Sequence, residues 1–173
     1  MTGAAARGGA ARVVHPLAPI ESPDARVLLL GTMPSPASRA AGFYYGHPRN
    51  RFWPVIARLF GEVDPQDNVG RAALARRHGI AIWDVLASCE IVGASDASIR
   101  DPVPNDIAAL LRRTSVRTIC TTGSTAWRLY HRLCEPATGV PATRLPSTSP
   151  ANAAWCLDDL VRAYEVVRAC AIP

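Results

Sequence analysis

The chain has 173 residues, 49% hydrophobic and 19% charged, a length that suits one domain with a proper core. No apolar run of about 18 residues or more is present to span a membrane. The net charge of +5 fits an anionic partner without specifying one, and because all 19 basic residues are Arg, no lysine amine is available for a Schiff base.

Residues 1–24 read as a flexible tail and linker. The opening MTGAAARGGAARVV is rich in Ala, Gly and Arg and lacks the central apolar stretch of a signal peptide, so a cytoplasmic location is the default expectation. Pro16, Pro19 and Pro23 break any helix there. Residues 25–173 read as a single domain. Val27 to Leu30 is a continuous apolar run ending at Gly31, the pattern of a strand buried on both faces. Residues 32–50 form a polar loop. Phe52, Trp53, Ile56, Leu59 and Phe60 then give a helical apolar face, with Pro54 in its first turn and Gly61 marking its end.

A basic helix follows from Val69 to His78, then a second strand from Ile80 to Trp83, which runs into DVLASCEIVGASDASI. DPVPND, around Asn105 and Asp106, reads as a turn and helix cap, and a helix continues to Arg113. A third strand spans Val116 to Thr121, and a helix Ser124 to Leu133, with Trp127 and Tyr130 inward. A fourth short strand near Ala142 to Leu145 enters the polar loop LPSTSPAN. One last helix places Leu157, Leu160, Val161, Tyr164 and Val167 on one face. Strands alternating with helices predict an α/β fold: a three-layer α/β/α sandwich around a short, mostly parallel four-stranded sheet.

The dinucleotide fingerprint and the P-loop are absent. The five cysteines form no C-x-x-C pair and the four histidines no ligand spacing, so no metal, Fe–S cluster or other cofactor is expected. Two polar loops follow strands, and parallel strands bring such loops to one edge of the sheet. One carries Tyr44, Tyr45, His47, Arg49, Asn50 and Arg51; the other Ser147, Thr148, Ser149 and Asn152. Aromatic faces, small hydroxyls and Arg suit a stacked nucleobase with phosphates outside it.

The segments GTMPSPASRAAGFYYGHPRNRFWPVI, WDVLASCEIVGASDASI and RLPSTSPANAAWCLDDLVRAYEVV resemble, in order and spacing, the motifs of the uracil-DNA glycosylase superfamily. Met33 stands where the mismatch-specific uracil/thymine branch has its water-activating Asn. The GxMP, YYGHPRN and LPSTSPAN pattern is more similar to the hypoxanthine-DNA (deoxyinosine) glycosylase branch, in which the Asn of HPRN is taken as catalytic. The resemblance implies a glycosylase acting on DNA with a damaged or mispaired base; the absence of lysine predicts that it is monofunctional, and one base-flipping site per chain that it is a monomer. Its roles map as follows. Asn50 orients the water through its amide oxygen. Gly31, Thr32, Met33, Pro34, Ser35, Tyr44, Tyr45 and His47 form the base pocket, with backbone N–H groups near Thr32 to Ser35 receiving charge and Tyr45 stacking the base. Arg49, Arg51, Ser147, Thr148, Ser149, Pro150, Ala151 and Asn152 contact DNA. The alternatives are uracil/thymine mismatch excision and a non-catalytic nucleic-acid binding module.

Each residue also has a plainer reading. Asn50 is placed to cap a helix, Tyr44 and Tyr45 to pack, His47 to shape a loop and Ser147 to Ser149 to form a turn. Trp53, Trp83, Trp127 and Trp155 read as core, Asp84 as a structural hydrogen-bonding group and Cys89 as packing.

Overall fold

The structure, a computed structural model, describes residues 9–172; expectations placed on residues 1–8 lie outside the described residues. Its strands are β1 (Ala11–Val14), β2 (Val27–Gly31), β3 (Ile80–Asp84), β4 (Leu86–Ile91), β5 (Arg100–Pro104), β6 (Thr118–Thr122) and β7 (Ala142–Leu145). Its helices are α1 (Pro36–Ala41), α2 (Phe52–Leu59), α3 (Asn68–Arg77), α4 (Ile107–Arg113), α5 (Ser124–Leu133), α6 (Glu135–Thr138), α7 (Leu157–Ala163) and α8 (Glu165–Cys170). Strands β3-β2-β6-β7, in that spatial order, form the expected four-stranded sheet, and every pairing in it is parallel.

Side chains alternate across this sheet. Val27, Leu29, Ile80, Ile82 and Cys120 join one core with residues of α2, α3, α7 and α8. Leu28, Leu30, Ala81 and Ile119 join a second core with residues of α4 and α5. The register agrees: Leu29 lies opposite Ile82 and Cys120, Leu28 opposite Ala81 and Ile119. Burial on both faces is why β2 and β3 read as unbroken apolar runs. Helix α2 anchors the first core by burying Phe52, Trp53, Val55, Ile56, Ala57 and Leu59, and each large side chain among them contributes about 1.5–3 kcal/mol.

The structure differs from the sequence expectations at several places. Residues 9–24 do not form a featureless tail. β1 pairs with β4, Ile20 bridges to Ile82, and the His15 side chain is buried. Strands β1, β4 and β5 make a second, antiparallel sheet in the order β1-β4-β5. β1 is largely exposed and so carries no apolar signal. β5 contains Pro102 and Pro104, which a sheet accepts at its edge. Within the loop over 32–50, Ser35 caps the short helix α1. The last helix is two, broken at Tyr164, whose hydroxyl donates to the Pro146 carbonyl at 2.9 Å. Of the four tryptophans only Trp53 is fully buried; Trp155 is 38% exposed. Asp106 caps α4 as expected, but Asn105 instead donates to the carbonyls of Asp84 (2.9 Å) and Leu86 (3.1 Å), holding the β3–β4 corner.

The chain leaves β2 for β3 on one side and reaches β6 on the other. That reversal opens a crevice at the carboxyl ends of β2 and β6.

Candidate active site

A cleft of about 490 Å³ occupies that crevice. All four parallel strands deliver residues to it: Gly31 from the end of β2, Asp84 from β3, Thr122 from β6, and Ser147 to Ser149 just beyond β7. The two polar loops meet there, as the strand arithmetic requires.

Asn50 lies at the cleft just before α2. Its Oδ1 accepts the Phe52 backbone N–H at 2.9 Å and the Thr148 hydroxyl at 2.9 Å. The helix-start role is therefore real, and it coexists with a place on the cleft wall. Both lone pairs of the oxygen are engaged, so the water-orienting role expected for it needs one of them released. The Asn50 amide NH2 has no protein partner among the described residues.

Arg51 turns its guanidinium to the second polar loop. Its guanidinium donates to the carbonyls of Ser149 (2.8 Å), Asn152 (2.9 Å), Thr148 (3.4 Å) and Trp155, and its backbone N–H also reaches the Thr148 carbonyl at 3.1 Å. A planar fork with five N–H groups suits such a clamp. It fastens the first polar loop to the second and thereby sets Thr148, 1% exposed, beside Asn50.

Tyr45 has a left-handed backbone, φ 54°, and its ring stacks on Phe52 at 3.7 Å between centroids with an 8° interplanar angle. Its hydroxyl meets Thr122 Oγ1 at 3.2 Å. Phe52 covers one face of the ring, and Tyr45 lines the cleft. Tyr44 touches the cleft but belongs to the first core, its hydroxyl donating to the carbonyls of Ala18 (3.0 Å) and Leu17 (3.3 Å). Burial, with Asp84 nearby, raises the pKa of both phenols well above the ordinary tyrosine range, so they stay neutral.

The turn after β2 supplies Thr32, Met33, Pro34 and Ser35 to the wall. Met33 packs against the second core, and Thr32 donates its hydroxyl to Asp96 at 3.0 Å. The backbone N–H groups of Met33 and Ser35 find no acceptor among the described residues. In the second loop, Ser147 and Ser149 hydroxyls accept the N–H groups of Ser149 and Ala151, each at 3.2 Å, so their own protons remain free to donate. The Asn152 amide ties back to the Ser147 carbonyl at 2.8 Å. Ala151 and Asn152 line the cleft; Pro150 sits on the same loop without lining it. His47 is outside the cleft, accepting the Arg49 N–H at 3.1 Å, and the exposed Arg49 side chain has no partner among the described residues.

Sequence reasoning gave little weight to Asp84 and none to His15. Asp84 is 4% exposed and lines the cleft. Its Oδ2 takes a 2.8 Å hydrogen bond from His15 Nε2. The Leu17 N–H donates to His15 Nδ1 at 3.2 Å, which fixes Nε2 as the protonated nitrogen. Burial raises the Asp84 pKa, against the opposing pull of the His15 hydrogen bond. Gly31 is explained by this carboxylate: a Cβ there would lie 2.3 Å from Asp84 Oδ1. The apolar strand ending in Asp was the one sequence signal for this group; the pairing with His15, 69 residues away, had none.

Among the described residues no group of three or more His, Cys, Asp or Glu could hold a metal ion, and no helix is long and apolar enough to cross a membrane.

Residues 18–167 match the family described as the Uracil DNA glycosylase superfamily. A Methanosarcina acetivorans protein named hypoxanthine DNA glycosylase is 33% identical over 132 residues, covering 75% of this chain and 82% of the relative. A protein of the same name from Methanosarcina barkeri is 31% identical over 93 residues, 53% of this chain and 59% of its own length. The NMR structure of a uracil DNA glycosylase candidate from Methanosarcina acetivorans aligns with TM-score 0.77 at 26% identity, over 90% of this chain and 97% of that one.

Proposed function

The chain belongs to the uracil DNA glycosylase superfamily, and we propose that it is a monofunctional DNA glycosylase that excises hypoxanthine from deoxyinosine in base excision repair. The observation that carries this reading is the joining of the two polar loops, through Arg51 and the Asn50–Thr148 hydrogen bond, into one cleft roomy enough to admit a flipped nucleotide. The name borne by the two Methanosarcina relatives supplies the base.

The target nucleotide leaves the stack, at a cost of a few kcal/mol that is lower for a mispaired base. The base enters the cleft against Tyr45. Water adds to the anomeric carbon as the N-glycosidic bond breaks; the electron pair departs on the base, which takes up the proton the water sheds, so the products are the free base and an abasic sugar. The free N–H groups of Met33 and Ser35 receive that charge as it develops, where fixed donors count most. The Thr148 hydroxyl turns aside to return a lone pair of Asn50 Oδ1, and the attacking water donates to it. An amide is a weak base, so placement supplies most of the rate. Ser147 and Ser149 donate to the flanking phosphates, and Arg49 adds positive charge at the surface. The chain has no lysine, so no lysine imine forms and strand cleavage does not accompany base loss. One base-flipping site per chain is read as that of a monomer, and the compartment is that of the DNA, the cytoplasm.

The test is single-turnover cleavage of duplexes carrying deoxyinosine, deoxyuridine or a G·T mismatch, with alkaline scission of the abasic product, by the wild type and Asn50→Ala. Deoxyinosine should be opened fastest, and the variant should lose on the order of 10²–10³-fold. Cleavage of the uracil duplex alone would replace hypoxanthine by uracil; DNA binding without cleavage of any duplex would make the protein a binding module.

A further inference from the structure

A second cavity, of about 250 Å³, adjoins the catalytic cleft, and Asp96 lines both. One face of α5 forms a wall of it: Thr125, Arg128, Leu129 and Arg132 recur at helical spacing and all line it, together with Ile99. Leu129 is buried and Ile99 half-buried against the second core, whereas both arginines are exposed. The cavity therefore has an apolar floor and two guanidinium groups at its rim. Neither arginine has a carboxylate partner among the described residues. Arg128 reaches only the Thr125 hydroxyl, at 3.4 Å. Glu135, the next acid along the chain, is engaged by His131 at 3.0 Å, and Asp96 takes the Thr32 hydroxyl at 3.0 Å. Arg58, Arg113, Arg162 and Arg168, likewise exposed on helices, each have a carboxylate. Like charges four residues apart on a helix repel, and here nothing in the protein offsets them.

We infer that this cavity is a further phosphate site: Arg128 and Arg132 hold one backbone phosphate of the lesion strand, beyond the nucleotide in the cleft and on the side away from Ser147 and Ser149, with the sugar against Leu129 and Ile99. The inference rests on the cleft being the seat of a flipped nucleotide and extends its DNA contacts to residues outside every motif. Its direction comes from the fold. The loop over 147–152 follows Leu145 of the first core and is fastened by Arg51 at the start of α2. The arginine face of α5 lies across the sheet edge, on the side of the second core. A strand passing over the cleft thus leaves one loop and meets the other wall. Two planar forks suit a phosphate better than two point charges would. Asp96, on the partition between the two cavities, repels phosphate from the base cleft and so keeps the backbone on the arginine side.

The test uses duplexes with one 2′-fluoro-deoxyinosine, whose electron-withdrawing fluorine slows hydrolysis of the glycosidic bond. A single neutral methylphosphonate is stepped outward on each side of it in the same strand. Equilibrium binding is measured for the wild type, Arg128→Ala/Arg132→Ala and Ser149→Ala. The double variant should bind the all-phosphate duplex about 10–100-fold more weakly, the scale of hydrogen bonds to a charged group. Its slope of log K against log salt should fall by about 0.9, the value of one phosphate. In the wild type one methylphosphonate beyond the lesion should carry a penalty that disappears in the double variant, while the other positions keep theirs. That position should lie on the opposite side of the lesion from the one whose penalty disappears in Ser149→Ala. Ala is the better helix former and both side chains are exposed, so melting curves should confirm an intact fold. A loss spread evenly over all positions overturns the site in favour of diffuse charge. Wild-type binding indifferent to every methylphosphonate on that side overturns it without recourse to a variant. So does a coupled position on the Ser149 side. Because binding is the readout, a wild type that opens no deoxyinosine in the cleavage assay overturns the proposed activity and not this site.

Discussion

Replacing Arg51 by Ala should damage catalysis more than its distance from any reacting bond would imply. The guanidinium donates to four carbonyls of one loop, those of Thr148, Ser149, Asn152 and Trp155. Hydrogen bonds to a charged donor contribute about 1.5–3 kcal/mol each. The Thr148 contact is long at 3.4 Å, and freed carbonyls on a loop can rehydrate. Allowing for both, the net loss is about 2–4 kcal/mol. Its main effect is to release the 148–155 loop, and with it the part of the cleft wall that Thr148, Ser149 and Asn152 form beside Asn50. A misplacement of about 1 Å can lower a rate about 10²-fold, so turnover should fall on that order while DNA affinity changes less. Arg51→Lys should recover only part, since a single ammonium cannot span carbonyls arrayed around a planar fork. Urea unfolding gives the stability change, single-turnover cleavage of a deoxyinosine duplex the rate, and limited proteolysis the loop mobility. If Arg51→Ala cleaves at the wild-type rate, or weakens DNA binding alone with the loop still protected, the clamp is not what positions the site.

Three further outcomes follow from the geometry. Gly31→Ala would press a methyl to 2.3 Å from a carboxylate oxygen that His15 holds in place; the overpacking should cost about 1–3 kcal/mol in thermal unfolding, and an unchanged melting temperature would show that Asp84 moves freely. Burial raises the Asp84 pKa above its unfolded value, so its contribution to wild-type stability is full below about pH 3.9, the ordinary carboxyl range, and is lost as pH rises through the folded value. Asp84→Asn does not titrate, so its stability relative to wild type should rise with pH across that window and then level off; a difference independent of pH refutes the sign. The third concerns thiols. Burial pushes the Cys120 thiol up to about 12 and that of Cys134 up to about 11, and raises Cys89 as well. With a disulfide reagent at pH 8, exposed Cys156 should react first and half-buried Cys170 more slowly, the other three only after unfolding; rapid labelling of more than two sites in the native protein would contradict this.

β2 and β3 were legible because they are apolar runs closed by Gly31 and Asp84, and burial on both faces leaves such a run little else to be; β6 and the short edge strand β7 were placed by the Gly123 turn and the polar loop that follow them. β1 and β5 were not. The first is exposed and short, and the second contains two prolines that resemble a turn until an edge position is known. Asn50 was reached through its motif rather than its chemistry, and a helix-start role would have explained it equally well. The Arg51 clamp was not legible because its acceptors are backbone carbonyls 97 to 104 residues away, which have no side-chain signature. The His15–Asp84 pair failed to register for a related reason. A histidine among prolines looks like linker until β1 and Ile20 dock that segment on the sheet.

The uneven burial of the four indoles gives the molecule an optical consequence. Trp53 is sealed in the first core, edge-on to Phe52, and Trp83 and Trp127 are partly shielded. Trp155 alone among them is exposed, and Arg51 holds its carbonyl at the end of the loop that walls the cleft. The long-wavelength part of the native emission should therefore come mainly from one fluorophore at the rim of the site. A duplex seated over that loop would quench or blue-shift this component and leave the core emission of Trp53 almost untouched, so the intrinsic spectrum separates docking from unfolding without a label.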